Sequence, residues 1–241
     1  GEVTARCFYE EGAHVILSGR RKEALERIGE SCAGQGQKLV LPFDVRDEAA
    51  IHAAKDIVFE RFGRVDILFS NAGVAQRARV EEADVSVYRT IMEVNFFGPL
   101  ALTKAVLPSM LERGQGHIVC TTSVAGKYGS AMRSGYNAAK HAAHGFFDSL
   151  REEVAESGID VTLIVPGAVR TNVSINALRG DGSRYDKMDP FLENGMAPDK
   201  CAARILDAVH RRKREALIAD GIARRNVILK RWSPALLSWT M

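Results

Sequence analysis

The 241-residue sequence lacks any Cys-x-x-Cys pair, and its four cysteines, Cys7, Cys32, Cys120 and Cys201, lie far apart. That scatter argues against a zinc site and a disulfide framework, and it favours a reducing compartment. None of the six histidines has metal-ligand spacing, so no metal is expected. No uninterrupted apolar run reaches the ~18 residues that suggest a membrane span, and no signal-peptide pattern opens the chain. Linkers rich in Pro, Gly or Ser are missing, as are repeats and low-complexity stretches, which favours one domain over residues 1–241. No DNA-binding motif and no basic surface interleaved with aromatics is present, so no nucleic-acid partner is expected.

What is present fits an ordinary globular chain: 46% apolar and 26% charged residues. The net charge of +3 is uneven, because ten Lys/Arg and only three Asp/Glu lie from Lys200 to Met241. Helical patterns are expected over Val3–Glu11, closed by Gly12, and over Lys22–Cys32, Glu48–Phe62, Val85–Glu112 and Tyr136–Glu156. Ile51, Ile57, Val58 and Phe62 form the expected buried face of the third of these. Strand-like runs occupy His14–Ser18, Lys38–Phe43, Val65–Ser70, His117–Thr121, Ile159–Val165 and Ala216–Ala219. Val65–Ser70 is nearly all apolar, as for a strand buried on both faces. Strands alternating with helices predict an α/β fold with a doubly wound parallel sheet.

Polar residues follow several of these strands. Asn71-Ala72-Gly73 follows one, Ser123 follows the next, and Pro166-Gly167-Ala168-Val169-Arg170-Thr171 follows a third. Open α/β sheets bind ligands at that edge. Asn95 lies in the long helical region within Val94-Asn-Phe-Phe-Gly98, and Tyr136-Asn-Ala-Ala-Lys140 begins thirteen residues after Ser123. A Tyr and a Lys one helical turn apart mean little alone. Asn71 and Gly73 can be turn formers, Asn95 a helix cap or bend, and Thr171 an N-cap. In this order the set resembles the short-chain dehydrogenase/reductase family, over Gly1 to about Asp220.

The resemblance implies a Rossmann-like single domain and an oxidoreductase that interconverts a carbonyl and an alcohol by hydride transfer to or from a nicotinamide dinucleotide. It implies catalytic roles for Asn95, Ser123, Tyr136 and Lys140. Tyr136 would act as acid/base, since a nearby ammonium favours a phenolate and Lys140 can supply it; Lys140 would also hold the nicotinamide ribose. Ser123 and Tyr136 would bind the substrate oxygen where charge develops, and Asn95 would help hold a water linking Lys140 to solvent. Asn71, Ala72, Gly73, Pro166, Gly167, Val169 and Thr171 would line the cofactor, with Asp44 at its adenine.

Gly19 stands where NAD-selective relatives carry an acid, and Arg20 and Arg21 follow. Guanidinium groups suit a 2′-phosphate, so NADP(H) is expected over NAD(H). No strand or complete glycine-rich turn precedes Gly1. The sheet is therefore expected to lack its first strand, with Gly1 matching the last glycine of that turn and the chain a piece of a longer protein.

Asn172–Pro198 reads as a mobile substrate lid or an ordinary surface loop, and the basic run from His210 to Glu215 as a solvated helix end. Residues 222–241 form a basic amphipathic segment suited to self-packing, a dimer contact or a membrane surface. That segment resembles the branch near the 11β-hydroxysteroid dehydrogenases, which implies a lipophilic substrate such as a steroid, retinoid or lipid carbonyl. The family also implies a homo-oligomer. Cytoplasmic and endoplasmic-reticulum locations both stay open. The alternative is a non-catalytic membrane- or partner-binding protein on the same fold.

Overall fold

The structure, a computed structural model, describes residues 1–32 and 34–240. Met241, the last residue of the basic segment, lies outside the described residues, as does Ala33. Six strands run in the order β1 (Val15–Gly19), β2 (Lys38–Pro42), β3 (Ile67–Ser70), β4 (Gly116–Thr121), β5 (Ile159–Pro166) and β6 (Glu215–Ile218). All their pairings are parallel. The helices between them are α1 (Glu2–Glu10), α2 (Lys22–Ser31), α3 (Glu48–Phe62), α4 (Val85–Met92), α5 (Gly98–Arg113), α6 (Ser134–Glu153), α7 (Pro190–Glu193) and α8 (Pro198–His210). After β6 come α9 (Gly221–Trp232) and α10 (Pro234–Thr240).

Side chains alternate across a strand with period two, and β4 and β5 use both faces. Ile118, Cys120, Val161, Leu163 and Val165 join a core with Phe147 and Leu150 of α6. Val119 and Ile164 point the other way, into a core with Cys201, Ile205 and Val209 of α8. Helices thus cover both faces, as expected for a doubly wound sheet. Truncating a fully buried residue such as Leu163 or Phe147 to Ala would cost roughly 2–5 kcal/mol. Helix ends follow local chemistry: the Asp47 side chain accepts from the Ala50 N–H at 3.0 Å to start α3. Gly63 and Gly114 take positive φ angles of 75° and 63° to stop α3 and α5.

The sheet is divided into β1-β2 and β3-β4-β5-β6. No strand joins the two parts among the described residues. One consequence corrects the sequence reading of Val65–Ser70. Strand β3 pairs only with β4, so Ile67 stays 40% exposed and Leu68 and Phe69 are only partly buried. A strand needs neighbours on both sides, as well as helices on both faces, to be fully enclosed. Ile57 is a second correction: it is exposed, because it lies off the Ile51–Val58 line that faces inward.

The region expected as one long helix contains a π-helical turn, Glu93–Phe97, between α4 and α5. The continuous stretch Val85–Arg113 is long and apolar enough to match a membrane-crossing helix by length and composition. Here it buries Val87, Ile91, Asn95, Thr103, Val106 and Met110 inside the domain. The basic run after α8 is ion-paired: Arg211 and Lys213 hold Asp207, Arg212 holds Asp160, and Arg214 holds Glu152. Such exposed pairs contribute little stability, but they consume the run's charge locally. Four cations thus share three carboxylates, and most of the run's charge is paired.

Candidate active site

The four strands β3 to β6 all end on one edge, and the loops that follow carry most of the expected site residues. Their chemistry is set by what each polar group must do once buried. Asn95 is fully buried in the π turn, a distortion that often marks functional positions. Its Nδ2 donates to the carbonyls of Val74 and Ile91, both at 2.9 Å, and its Oδ1 accepts from the Val74 N–H at 3.3 Å. The π turn thereby fastens the loop after β3 to the helix.

Lys140 is only 4% exposed, unusual for a lysine, on the inward face of α6. Its Nζ donates to the Thr121 carbonyl at 2.9 Å and lies 5.7 Å from the centre of the Tyr136 ring, one turn earlier. Tyr136 is half-buried, and its hydroxyl has no hydrogen-bond partner among the described residues. Ser123 is buried two residues past the end of β4, where its Oγ accepts from the Ala125 N–H at 3.1 Å. The turn Val124–Gly126 that follows lies directly on α6: a Cβ on Gly126 would stand 2.8 Å from the Lys140 carbonyl oxygen.

Gly73 shows how closely these elements converge. A side chain there would begin 3.0 Å from Asn95 Oδ1 and 3.8 Å from Lys140 Nζ. Asn71, Ala72 and Gly73 are all exposed, and the Thr121 hydroxyl reaches Asn71 Oδ1 at 3.4 Å. Gly1 lies beside the same loop, with Asn71 Nδ2 at 2.7 Å from a Cβ built on it. After β5, Gly167 donates to the Ile218 carbonyl at 3.0 Å. Pro166 ends that strand, and Val169 pairs with Met196. Thr171 is exposed, bonds only weakly to the Val169 carbonyl at 3.4 Å, and precedes a turn instead of a helix.

The other end of the expected cofactor track is built differently. Arg20 and Arg21 are exposed beyond β1. Asp44 is gripped by Arg46, whose Nη2 donates at 2.7 Å and whose Nε donates at 3.1 Å. That contact first, with the more distant charge of Arg20 adding to it, holds the Asp44 carboxyl below its ordinary range.

This arrangement matches known proteins over nearly its full extent. The model of the short chain dehydrogenase family matches residues 1–181. The chain belongs to the short-chain dehydrogenase family. It is 42% identical over 241 residues to a mouse protein named dehydrogenase/reductase SDR family member 7B, covering 98% of this chain and 75% of that one. A short-chain dehydrogenase from Streptomyces avermitilis superposes with a TM-score of 0.84 at 30% identity, covering all of this chain and 92% of the other. A metagenomic short-chain oxidoreductase solved in complex with NADP has a TM-score of 0.75 at 25% identity, covering 92% of each chain. Membership makes this chain an oxidoreductase.

Several residues beside the short-chain dehydrogenase site escaped the sequence reading. Asp189 accepts from Arg133 at 3.0 Å and also pairs with the buried Arg77. It joins the segment after Thr171 to the β3 loop and to the start of α6. Burial, then the like charge of Arg133, lowers the Arg77 pKa against the pull of Asp189. Leu178 exchanges backbone hydrogen bonds with Ala75 and Arg77, and Ser174 and Ala177 are fully buried. The segment expected as a lid or a surface loop is therefore tied to the domain by these contacts. Thr121 and Arg46 also act through contacts that no motif announces, although Arg46 stands two residues from Asp44. One turn past Lys140, His144 is buried with both ring nitrogens unpartnered among the described residues. Burial first, and then the charge of Lys127, push its pKa down to about 4. At 3.8 Å from Glu215 it is a neutral neighbour, not an ion pair, at neutral pH.

Proposed function

We propose that this short-chain dehydrogenase uses NADP(H) to interconvert a carbonyl and an alcohol on a lipophilic, steroid-, retinoid- or lipid-like substrate. The observation that carries the reading is the meeting of Gly73, Asn95, Lys140 and Thr121 beside Tyr136, with Ser123 opening the turn that lies on α6. The donor set suits a nicotinamide dinucleotide. It comprises a buried ammonium at Lys140, an exposed loop at residues 71–73 beside it, and two exposed guanidiniums after β1. Lys140 would hold the nicotinamide ribose, and Arg20 and Arg21 the 2′-phosphate, a pairing that favours bidentate guanidinium contacts. Bound NADP(H) supplies the hydride.

This chain's own residues supply position and protons. In the reducing direction the Tyr136 hydroxyl gives its proton to the carbonyl oxygen, while the Ser123 hydroxyl donates to the same oxygen as charge develops. The Lys140 ammonium stabilises the resulting phenolate. Asn95 has both amide hydrogens committed to Val74 and Ile91. Only acceptor positions remain for a water that returns the proton, so that water must donate to Asn95. Exposed Phe97 and Leu111, on the stretch Val85–Arg113, support pairing of copies along that helix.

The test is NADPH-dependent reduction of a panel of steroid ketones, retinaldehyde and long-chain ketones, with NADH in parallel. Tyr136→Phe is expected to lower turnover by ~10²–10⁴-fold while NADPH affinity stays within about threefold of the parent. Unchanged turnover in that variant would refute the mechanism. Equal use of NADH and NADPH would refute the cofactor preference.

A further inference from the structure

The 222–240 region packs in an unusual way. Ala223, Asn226 and Leu237 turn inward and are buried, with Ala223 and Leu237 joining the core that contains Val124 and Tyr128. The helices are thus anchored to the domain, which agrees with the self-packing expectation. Their other face is unusual for a surface. Ile222, Ile228, Trp232, Leu236 and Trp239 are all exposed, Trp232 at 80% and Trp239 at 92%. Arg224, Ile228 and Trp232 fall four residues apart and share one row of α9. Arg224, Arg225, Lys230 and Arg231 surround the apolar side chains, and no acidic residue occurs between Gly221 and Thr240. Among the described residues none of these four cations forms an ion pair, unlike the basic run after α8.

We infer that this face of α9 and α10 docks on the surface of an anionic lipid membrane. Two exposed indoles amid isoleucines and leucine suit the boundary between headgroups and acyl chains, where an aromatic body is apolar and its N–H meets water. Unpaired cations around them match the negative potential of such a surface. A second copy of this chain fits less well, because like-charged faces carrying four cations each would meet. Helix α9 starts beside the loop after β5, with inward residues against it: a Cβ on Gly167 would stand 3.0 Å from Ala219 and 3.3 Å from Ala223. The inference does not rest on the proposed chemistry, since it concerns binding alone.

The chain offers its own probe, because Trp232 and Trp239 are its two tryptophans. On adding phosphatidylcholine vesicles containing phosphatidylserine, tryptophan emission is expected to shift to the blue and the protein to float with the vesicles. Phosphatidylcholine alone should bind it far more weakly, and ~1 M salt should release it as screening shortens to ~3 Å. The double change Arg224→Gln, Arg225→Gln should weaken binding by about 10–30-fold. Replacing Trp232 and Trp239 by Ser should abolish flotation. The circular dichroism spectrum and NADPH affinity of every variant should match the parent, which separates lost docking from lost folding. Three results would overturn the inference: no emission shift and no flotation, equal flotation on both vesicle types, or a concentration-dependent blue shift without vesicles that accompanies dimer formation.

Discussion

The two halves of the proposed cofactor track differ in how the protein holds them. On the side of β3 to β6, Asn95 and Lys140 are buried and each of their side-chain hydrogen bonds ends on a backbone group. On the side of β1 and β2, Arg20 and Arg21 stand in solvent, and Asp44 is held by a neighbour two residues away. The first half is rigid before any ligand arrives, because an unmade hydrogen bond in its interior is costly. The second half carries charge that costs little to leave in water. Geometry is fixed where the proposed chemistry demands it, and recognition of the proposed distal phosphate would fall to exposed side chains.

Three experiments sharpen or break this contrast. Asn95→Ala should have the largest effect, because it orphans Val74 N–H and two buried carbonyls. Denaturant titration should show a loss of roughly 3–5 kcal/mol, and a loss below about 1 kcal/mol would mean that the β3 loop is held by other contacts.

His144 should produce the next effect, through pH. Its folded pKa of about 4 lies below the ordinary histidine value, so the folded state resists protonation. Its contribution is intact above pH ~6.5 and is lost as pH falls from there toward 4, by roughly 3 kcal/mol in all. His144→Leu should flatten that part of the stability–pH curve relative to the parent. An identical acid limb in both proteins would remove His144 as its cause.

Arg20→Ala should have the smallest effect on folding, within about 0.5 kcal/mol. It should nevertheless weaken NADPH binding about 10–100-fold and leave NADH nearly unchanged. A comparable loss for both cofactors, or a large drop in melting temperature, would break the contrast between the halves.

Much of the fold was readable because local periodicity carries it. The runs His117–Thr121 and Ile159–Val165 predicted β4 and β5 almost to the residue, and Glu48–Phe62 matched α3 at both ends. The motif residues Ser123, Tyr136 and Lys140 were legible as an ordered set. The π turn at Asn95 was not, since the sequence there continues an ordinary helical pattern. The exposure of Ile67 was also hidden: an apolar run records what a strand can bury, not whether a neighbour is there to cover it. Similarly, the charges after α8 and those on α9 look alike in sequence. Only the positions of Asp160, Asp207 and Glu152 separate paired cations from free ones.

By itself, the sequence determined the order of elements, the family and the set of candidate reactive groups, because each is written in spacings of two, four or a few residues. Only the tertiary structure decided which polar groups meet. Thr121 receives Lys140 across 19 residues, Val74 receives Asn95 across 21, and Asp189 reaches Arg77 across 112. Those pairings follow from a condition no local pattern can state: each polar group carried out of water must find a partner in whatever the rest of the chain brings beside it.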